Sequence, residues 1–336
     1  MHPFRVIADL VVPAAEAHEK WFVPLSPVRY PVPEFYRTLN PYTVGAALAI
    51  LAIAVIGYFA DRAYERSAAY ARIEARIRPW RDYAVVALAL TTGITLLFSA
   101  SRGQLLAANY PLPSDFFGSL LRLAEAVIGG LLVIGLFTPA AAIGLLGLYL
   151  STFLLQPPIE PLDYLNYVGI AVFILFFSRG RYSLDWFLGK PIFTSPAQRK
   201  WAYLVLRVVT GFTILWLGAL KWRRPDLHFG LLDRYAHFNP YVILQAAGIS
   251  MTREFYVFAL FVGEATIGVF EIFGFLTRAT AVFLAPVFLA SLLFLGPLEL
   301  VGHLPLLGTL CVLIAYGDTY YKNRVEDRYG IKKTPG

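Results

Sequence analysis

Five ionisable side chains lie inside strongly apolar stretches of the sequence and are the first candidates for chemistry. They are Glu125, Arg207, Glu264, Glu271 and His303. Placing a charged side chain at the centre of a bilayer costs about 2.5–3.5 kcal/mol, so such residues face other helices and mark functional sites or ion pairs. A desolvated glutamate and a histidine are suitable proton donors. We therefore predict Glu264 and His303 as catalytic proton donors.

Spacing and depth group four of these residues into one predicted site. Glu264 and Glu271 are seven residues apart, which places them two turns apart on nearly the same helix face. Arg207 and Glu271 lie at similar depths in their apolar stretches, which predicts an ion pair, and His303 is expected to reach toward Glu264. A cavity lined by these four residues could hold a quinone head group, because its carbonyl oxygens need donors and its reduction needs protons.

The composition indicates that a membrane surrounds these residues. Hydrophobic residues make up 58% of the 336 and charged residues 15%, with a mean hydropathy of +0.60. A soluble protein has about 25% charged residues, so this chain has too few of them to cover a water-exposed surface of its size. We predict an all-α integral membrane protein whose partners include membrane lipid. The net charge of +7 is attributed to membrane topology, and no nucleic-acid partner is expected.

Nine apolar stretches approach the length of about 20 residues that a membrane-spanning helix needs. They lie near 43–60, 83–101, 118–137, 139–156, 162–178, 201–220, 254–275, 279–296 and 299–317. The chain then divides into an external or interfacial segment 1–42, a leading helix with a basic segment 43–82, two four-helix units 83–190 and 191–317, and a tail 318–336. The distribution of Lys and Arg among the loops predicts a prokaryotic cell membrane protein whose C-terminus lies on the cytoplasmic side.

The N-terminal segment has two interpretations. Ala15-Glu16-Ala17 resembles a signal-peptidase site, and cleavage of residues 1–17 would leave His18 as an amino-terminal copper ligand. Asp9 interrupts the short apolar run before it, which favours an uncleaved interfacial segment. Residues 221–253 form another external segment that begins with a basic cluster at Lys221, Arg223 and Arg224.

The chain contains an internal duplication. Residues 124–140 align with 263–279 without a gap, with seven identities in seventeen, and Thr92-Gly93 corresponds to Thr210-Gly211. Each copy has an even number of predicted spans, so the copies share one orientation and are related by an axis near the membrane normal. Glu125 is the counterpart of Glu264, but Leu132 replaces Glu271, so the second repeat is the better-equipped one.

The second repeat resembles the DoxX family of four-helix membrane proteins. The resemblance rests on LRVVTGFTILWLGALKW at 206–222 and GEATIGVFEIFGFLTRATA at 263–281. The motif positions are Arg207, Gly211, Gly218, Lys221, Gly274, Thr277 and Arg278. The first repeat is similar to a diverged copy that has Pro139 in place of the arginine. The family includes a membrane subunit associated with thiosulfate:quinone oxidoreductase, which implies a quinone cofactor and a protein partner that supplies electrons.

These observations favour a quinone-interacting or scaffolding subunit of a membrane redox system. If the protein is an enzyme, it is a subunit of a quinone-linked oxidoreductase. One alternative is a membrane protein that transports or handles small molecules or copper, and another is a non-catalytic assembly factor whose buried charges only fix helix register. No haem is expected, because only His303 of five histidines lies in an apolar span. No NAD or flavin motif occurs either.

Overall fold

A computed structural model describes residues 41–189, 194–234, 244–295 and 299–317. The predicted copper ligand His18, the signal-peptide alternative and the tail 318–336 lie outside these ranges. The helices are α1 (Pro41–Glu65), α2 (Ala68–Ile77), α3 (Arg81–Ser101), α4 (Phe116–Ile134), α5 (Thr138–Leu155), α6 (Asn166–Phe177), α7 (Leu184–Phe187), α8 (Pro196–Arg223), α9 (Pro225–Arg234), α10 (Arg253–Phe273), α11 (Thr277–Leu295) and α12 (Glu299–Tyr316). A small antiparallel hairpin, β1 (Gln104–Leu105) and β2 (Ala107–Pro111), joins α3 to α4.

Six helices are long and apolar enough to cross a membrane. They are Pro41–Glu65, Ala68–Ser101, Phe116–Ile134, Thr138–Leu155, Pro196–Arg223 and Arg253–Phe273. Three shorter apolar helices, Asn166–Phe177, Thr277–Ser291 and Gly302–Tyr316, lie at the positions of the remaining predicted spans. The predicted all-helical class is confirmed, with six helices that could span a membrane, whereas the count of nine spans stays a prediction; the short hairpin is an addition.

The helices pack in a closed ring, and the two halves of the chain contact each other at two places in it. In the first half α3 packs on α4, α4 on α5 and α5 on α6, and in the second half α8 packs on α10 and α11 on α12. Between the halves, α6 packs on α8 and α12 packs on α3. The last helix of each half therefore contacts mainly the first helix of the other half.

The two halves repeat the same backbone geometry at the first helix crossing. A Cβ atom added to Gly129 would lie 2.9 Å from the carbonyl oxygen of Gly93, and one added to Gly268 would lie 2.7 Å from that of Gly211. These two pairs correspond in the sequence alignment of the repeats. Only glycine allows backbones to approach this closely, so α3 crosses α4 and α8 crosses α10 at equivalent points.

The leading helix α1 docks on the second half of the chain. Gly57 of α1 packs against the ring of Phe270, and Asp61 accepts a hydrogen bond of 3.0 Å from the backbone N–H of Leu276. In the first half, the carboxylate of Asp185 on α7 accepts hydrogen bonds of 2.8 Å from the backbone N–H groups of Phe137 and Thr138. The same turn is thus closed by a carboxylate in both halves, supplied from different parts of the chain.

Candidate functional site

Glu271 and Arg207 lie at the glycine crossing of α8 and α10. Both are almost completely buried, and the Cβ of Glu271 occupies the space beside Gly211. The hydroxyl of Thr280 on α11 donates a hydrogen bond to Oε1 of Glu271, and Nη2 of Arg207 lies 3.5 Å from the carbonyl oxygen of Ile272. The structure therefore brings these two predicted site residues to the same level of the fold, and their direct ion pair stays a prediction.

Glu264 forms an ion pair with Lys221. The Nζ and Oε2 atoms are 2.8 Å apart, and the side chains are 6% and 27% exposed. The absence of a side chain at Gly218 lets α8 approach the Cβ of Glu264. Lys221 was predicted to begin an external segment, but α8 continues to Arg223 and buries it. Lys221 is a position of the DoxX resemblance, and its pairing with Glu264 was not predicted from the sequence.

His303 lies beside a small cavity between the two halves. Its Nδ1 is 2.5 Å from Oγ of Ser291, and its ring stacks on Phe288 at a centroid distance of 4.7 Å. The cavity has a volume of about 30 Å³ and is lined by Asp163, Tyr164, Asn166, Tyr167, Leu217, Gly302, His303 and Leu306. This is room for about one water molecule, whereas sites for small organic ligands measure about 300–1,000 Å³. The cavity beside His303 is thus smaller than a quinone head group, and the predicted quinone site at this residue stays a prediction.

Polar groups around this cavity are held in place by the helices that meet there. The indole Nε1 of Trp216 donates a hydrogen bond of 2.7 Å to Oδ1 of Asp163. Tyr164 is buried just before α6 begins and lines the same cavity.

Glu125, the counterpart of Glu264, is completely buried on α4. Its Oε1 accepts a hydrogen bond of 2.7 Å from the backbone N–H of Leu106 at the tip of the β-hairpin. Its Oε2 has no hydrogen-bond partner among the described residues. We predicted the first repeat to be the less equipped one, yet it holds a buried carboxyl group without the lysine that its counterpart has.

An apolar groove lies between α1, α10 and α11, next to these residues. It has a volume of about 620 Å³ and opens on the outer surface of the helices. Its lining residues are Ile53, Phe255, Phe258, Ala259, Val262, Gly263, Thr266, Ile267, Leu276, Ala279, Thr280 and Phe283. Thr280 connects the groove to the buried carboxyl of Glu271. Sequence reasoning missed this groove because it depends on α1 docking against the second half.

One residue of the DoxX resemblance has a structural role here. Arg278 donates from Nε to the carbonyl oxygen of Ile314 at 2.7 Å, and its Nη2 lies 2.7 Å from Oε2 of Glu74. Glu74 also pairs with Arg81. These contacts hold the amphipathic helix α2 against the end of α12, and Arg278 provides a hydrogen-bond donor for a carbonyl group in the last turn of α12.

The predicted site residues thus lie in three separate places: Arg207 and Glu271 at the helix crossing, Glu264 against Lys221, and His303 beside the small cavity. No cluster of three or more His, Cys, Asp or Glu side chains in the described ranges is arranged to hold a metal ion. No family model, curated protein or solved structure matches this chain in sequence or fold comparisons. The fold defines an all-helical protein with several helices suited to a membrane, and the DoxX resemblance remains a prediction.

Proposed function

We propose that this chain is a nine-helix, multi-pass protein of the prokaryotic cytoplasmic membrane that binds a quinone for a membrane redox system. In this proposal the C-terminus is cytoplasmic and a protein partner supplies the electrons, as the DoxX resemblance implies. The observation that carries the proposal is the apolar groove between α1, α10 and α11, together with the Thr280–Glu271 pair at its edge.

The groove has the size and polarity that a lipid-soluble quinone requires. Its volume lies within the range of small-molecule sites, and its walls are apolar apart from two threonines. The hydroxyl of Thr266 already donates to the carbonyl oxygen of Val262. The hydroxyl of Thr280 also lies 2.9 Å from the carbonyl oxygen of Thr277, but of the two threonines it is the one that contacts the carboxyl of Glu271. In this proposal a quinone carbonyl approaches Thr280, while the isoprenoid tail lies against the phenylalanines and leaves toward lipid.

Thr280 and Glu271 supply the protonation chemistry in this proposal. With a proton on Glu271, the carboxylic acid donates to Oγ1 of Thr280, and the threonine hydroxyl turns to donate to the quinone carbonyl. A bound quinone would supply the redox chemistry: its reduction to the quinol takes two electrons from the partner and two protons, of which this pair would deliver one and the aqueous phase the other. Arg207, at the same helix crossing, stabilises the carboxylate that remains.

The proposal is tested by filling the groove from Gly263. A Cβ atom at Gly263 meets nothing within 4 Å, so Gly263→Phe projects into the groove without disturbing the helix packing. The matched control is Gly130→Phe on α4, which is equally open and does not line the groove. We expect protein purified in mild detergent to carry near-stoichiometric quinone, and Gly263→Phe to retain at least about tenfold less, a loss of about 1.4 kcal/mol in binding.

The same assay distinguishes the competing occupants. Equal quinone in Gly263→Phe and Gly130→Phe would contradict the proposal, as would folded wild-type protein that carries phospholipid and no quinone. A second variant, Thr280→Val, keeps the shape of the side chain and removes the hydroxyl. We expect it to weaken quinone binding by about 1 kcal/mol, or roughly fivefold, because one hydrogen bond is lost.

A further inference from the structure

A second groove opens on the surface of the first repeat, where the end of α3 meets the beginning of α4. It has a volume of about 490 Å³ and is lined by four apolar residues, two serines and Arg122. None of the described residues that line the groove between α1, α10 and α11 is ionisable. The two grooves therefore differ in charge, and the one in the first repeat carries a cation.

The guanidinium group of Arg122 is oriented by the end of α3. Its Nε donates to the carbonyl oxygen of Ala100 at 2.7 Å, and its Nη2 donates to that of Ser101 at 3.2 Å. Both acceptors are uncharged carbonyl groups, so they fix the orientation of the cation without cancelling its charge. Within the described ranges no carboxylate pairs with Arg122, and its Nη1 remains available to an anion.

The two serines of the groove do not compete with Arg122 as donors. The hydroxyl of Ser101 donates to the carbonyl oxygen of Phe98 at 2.7 Å, and that of Ser119 donates to the carbonyl oxygen of Asp115 at 2.9 Å. An arginine binds phosphate oxygens through charge-assisted hydrogen bonds, which are stronger than those from neutral donors. Arg122 is thus the group that selects the ligand of this groove.

The position of the groove along the helices suits a lipid. Both α3 and α4 are long and apolar enough to cross a membrane, and the groove lies where α3 ends and α4 begins. Arginine side chains near helix ends reach toward the membrane–water interface. Leu97, Leu123 and Ala126 line the part of the groove that lies farther from these helix ends. One cation at the interface above an apolar wall matches a phosphate group that carries an acyl chain.

The second repeat has aromatic rings at the corresponding place. Continuing the alignment of the repeats toward the N-terminus pairs Arg122 with Phe261 and Ser119 with Phe258. These two rings lie against Trp222 of α8, at centroid distances of 5.1 Å and 5.6 Å. Aromatic rings bring no charge to this place, so the cationic groove distinguishes the first repeat from the second.

We propose that the groove between α3 and α4 binds an anionic phospholipid, with a phosphate oxygen on Nη1 of Arg122 and an acyl chain along Leu97, Leu123 and Ala126. The carbonyl groups of α3 already orient the guanidinium, so binding orders little of the protein. A zwitterionic head group would bring its own cation close to Arg122, which favours a lipid with net negative charge. This site is separate from the quinone groove and does not depend on it.

Native mass spectrometry of the full-length protein in mild detergent tests this site. Protein stripped of bound lipid is titrated with phosphatidylglycerol or with phosphatidylcholine that has the same acyl chains. We expect one phosphatidylglycerol per chain to bind about tenfold or more tightly than phosphatidylcholine, because only the first has a net negative charge. Equal affinity for the two lipids would overturn the proposal, as would displacement of the lipid by inorganic phosphate, which would indicate a site for a soluble anion.

A substitution of Arg122 tests its contact with the phosphate. Arg122→Gln removes the charge and keeps an amide donor for the carbonyl oxygen of Ala100. We expect it to weaken phosphatidylglycerol binding by about tenfold or more. The matched control is Arg102→Gln, because Arg102 also lies at the end of α3 but sits over the ring of Phe98 and does not line the groove. The control should change the affinity by no more than about twofold, and equal losses in both variants would contradict a specific site.

A variant that keeps Arg122 tests the groove itself. Ser119→Phe places at this exposed position the ring that the second repeat has there, and we expect it to weaken phosphatidylglycerol binding by about tenfold or more. Wild-type affinity in both Ser119→Phe and Arg122→Gln would overturn the proposal. Gly263→Phe, which fills the quinone groove, should leave lipid binding at the wild-type level, so failure of this proposal and failure of the quinone proposal are distinguishable.

Discussion

Gly268→Leu is expected to abolish the folded protein, whereas Gly263→Leu on the same helix leaves it folded. A Cβ atom at Gly268 would lie 2.6 Å from the backbone nitrogen of Leu215 and 2.7 Å from the carbonyl oxygen of Gly211. These are backbone atoms of α8, so relief requires the two helices to separate along their whole contact. Overpacking costs about 1–3 kcal/mol where side chains can adjust, and more where they cannot.

The first repeat offers an internal comparison for this prediction. Gly129 is the counterpart of Gly268, and its added Cβ would meet the Gly93 oxygen at 2.9 Å, so Gly129→Leu should also fail. Its neighbour Gly130 has no atom within 4 Å, and Gly130→Leu should fold normally. Size-exclusion profiles and thermal unfolding in detergent measure all four variants. Monodisperse, stable Gly268→Leu protein would contradict the close helix crossing on which the site geometry depends.

Breaking the Lys221–Glu264 pair from one side is expected to destabilise the protein strongly, while replacing both partners restores most of the stability. Lys221→Met leaves the carboxylate without its cation, and Glu264→Gln leaves an ammonium group that is 6% exposed. Removing one partner of a fully buried pair costs about 3–5 kcal/mol, and we expect the lower end because Glu264 retains some exposure. The double variant loses both charges together and avoids that cost.

A double-mutant cycle measures the coupling between these two side chains. The control is the exposed pair of Arg253 and Asp233, whose atoms are 3.3 Å apart and whose side chains are 30% and 49% exposed. Asp233→Asn should change the unfolding free energy by no more than about 1 kcal/mol, as for other surface ion pairs. If Lys221→Met has an effect as small as Asp233→Asn, the buried pair does not hold α8 against α10.

The positions of the helices could be predicted largely from local sequence signals. Apolar length located the long apolar helices, and the duplicated segments 124–140 and 263–279 contain Gly135 and Gly274, which end α4 and α10 in the structure with φ of 69° and 72°. These features depend on residues close together in the chain. The predicted burial of Glu125 and Glu271 followed from the cost of exposing a charge to lipid.

The contacts between distant elements could not be predicted in the same way. The register of Lys221 against Glu264 depends on the rotation of α8 and on its extension to Arg223, which hydropathy does not indicate. The hairpin depends on Leu106 adopting a positive φ, a conformation that nothing in a leucine side chain favours. The groove requires α1, the first helix described, to dock on the second repeat. Each of these depends on tertiary packing that overrides local preference.

Photoaffinity labelling with an azido-quinone tests the quinone proposal most directly, because it reports where the quinone lies. The structure offers two grooves for comparison: the 620 Å³ groove lined from Phe255 to Phe283, and a 490 Å³ groove lined by Leu97, Ala100, Ser101, Ser119, Arg122, Leu123 and Ala126. We predict saturable labelling of peptides that cover 255–283, competed by unlabelled quinone and lost in Gly263→Phe. Labelling confined to 97–126, or unsaturable labelling over all lipid-facing helices, would contradict the assignment of a quinone to this groove.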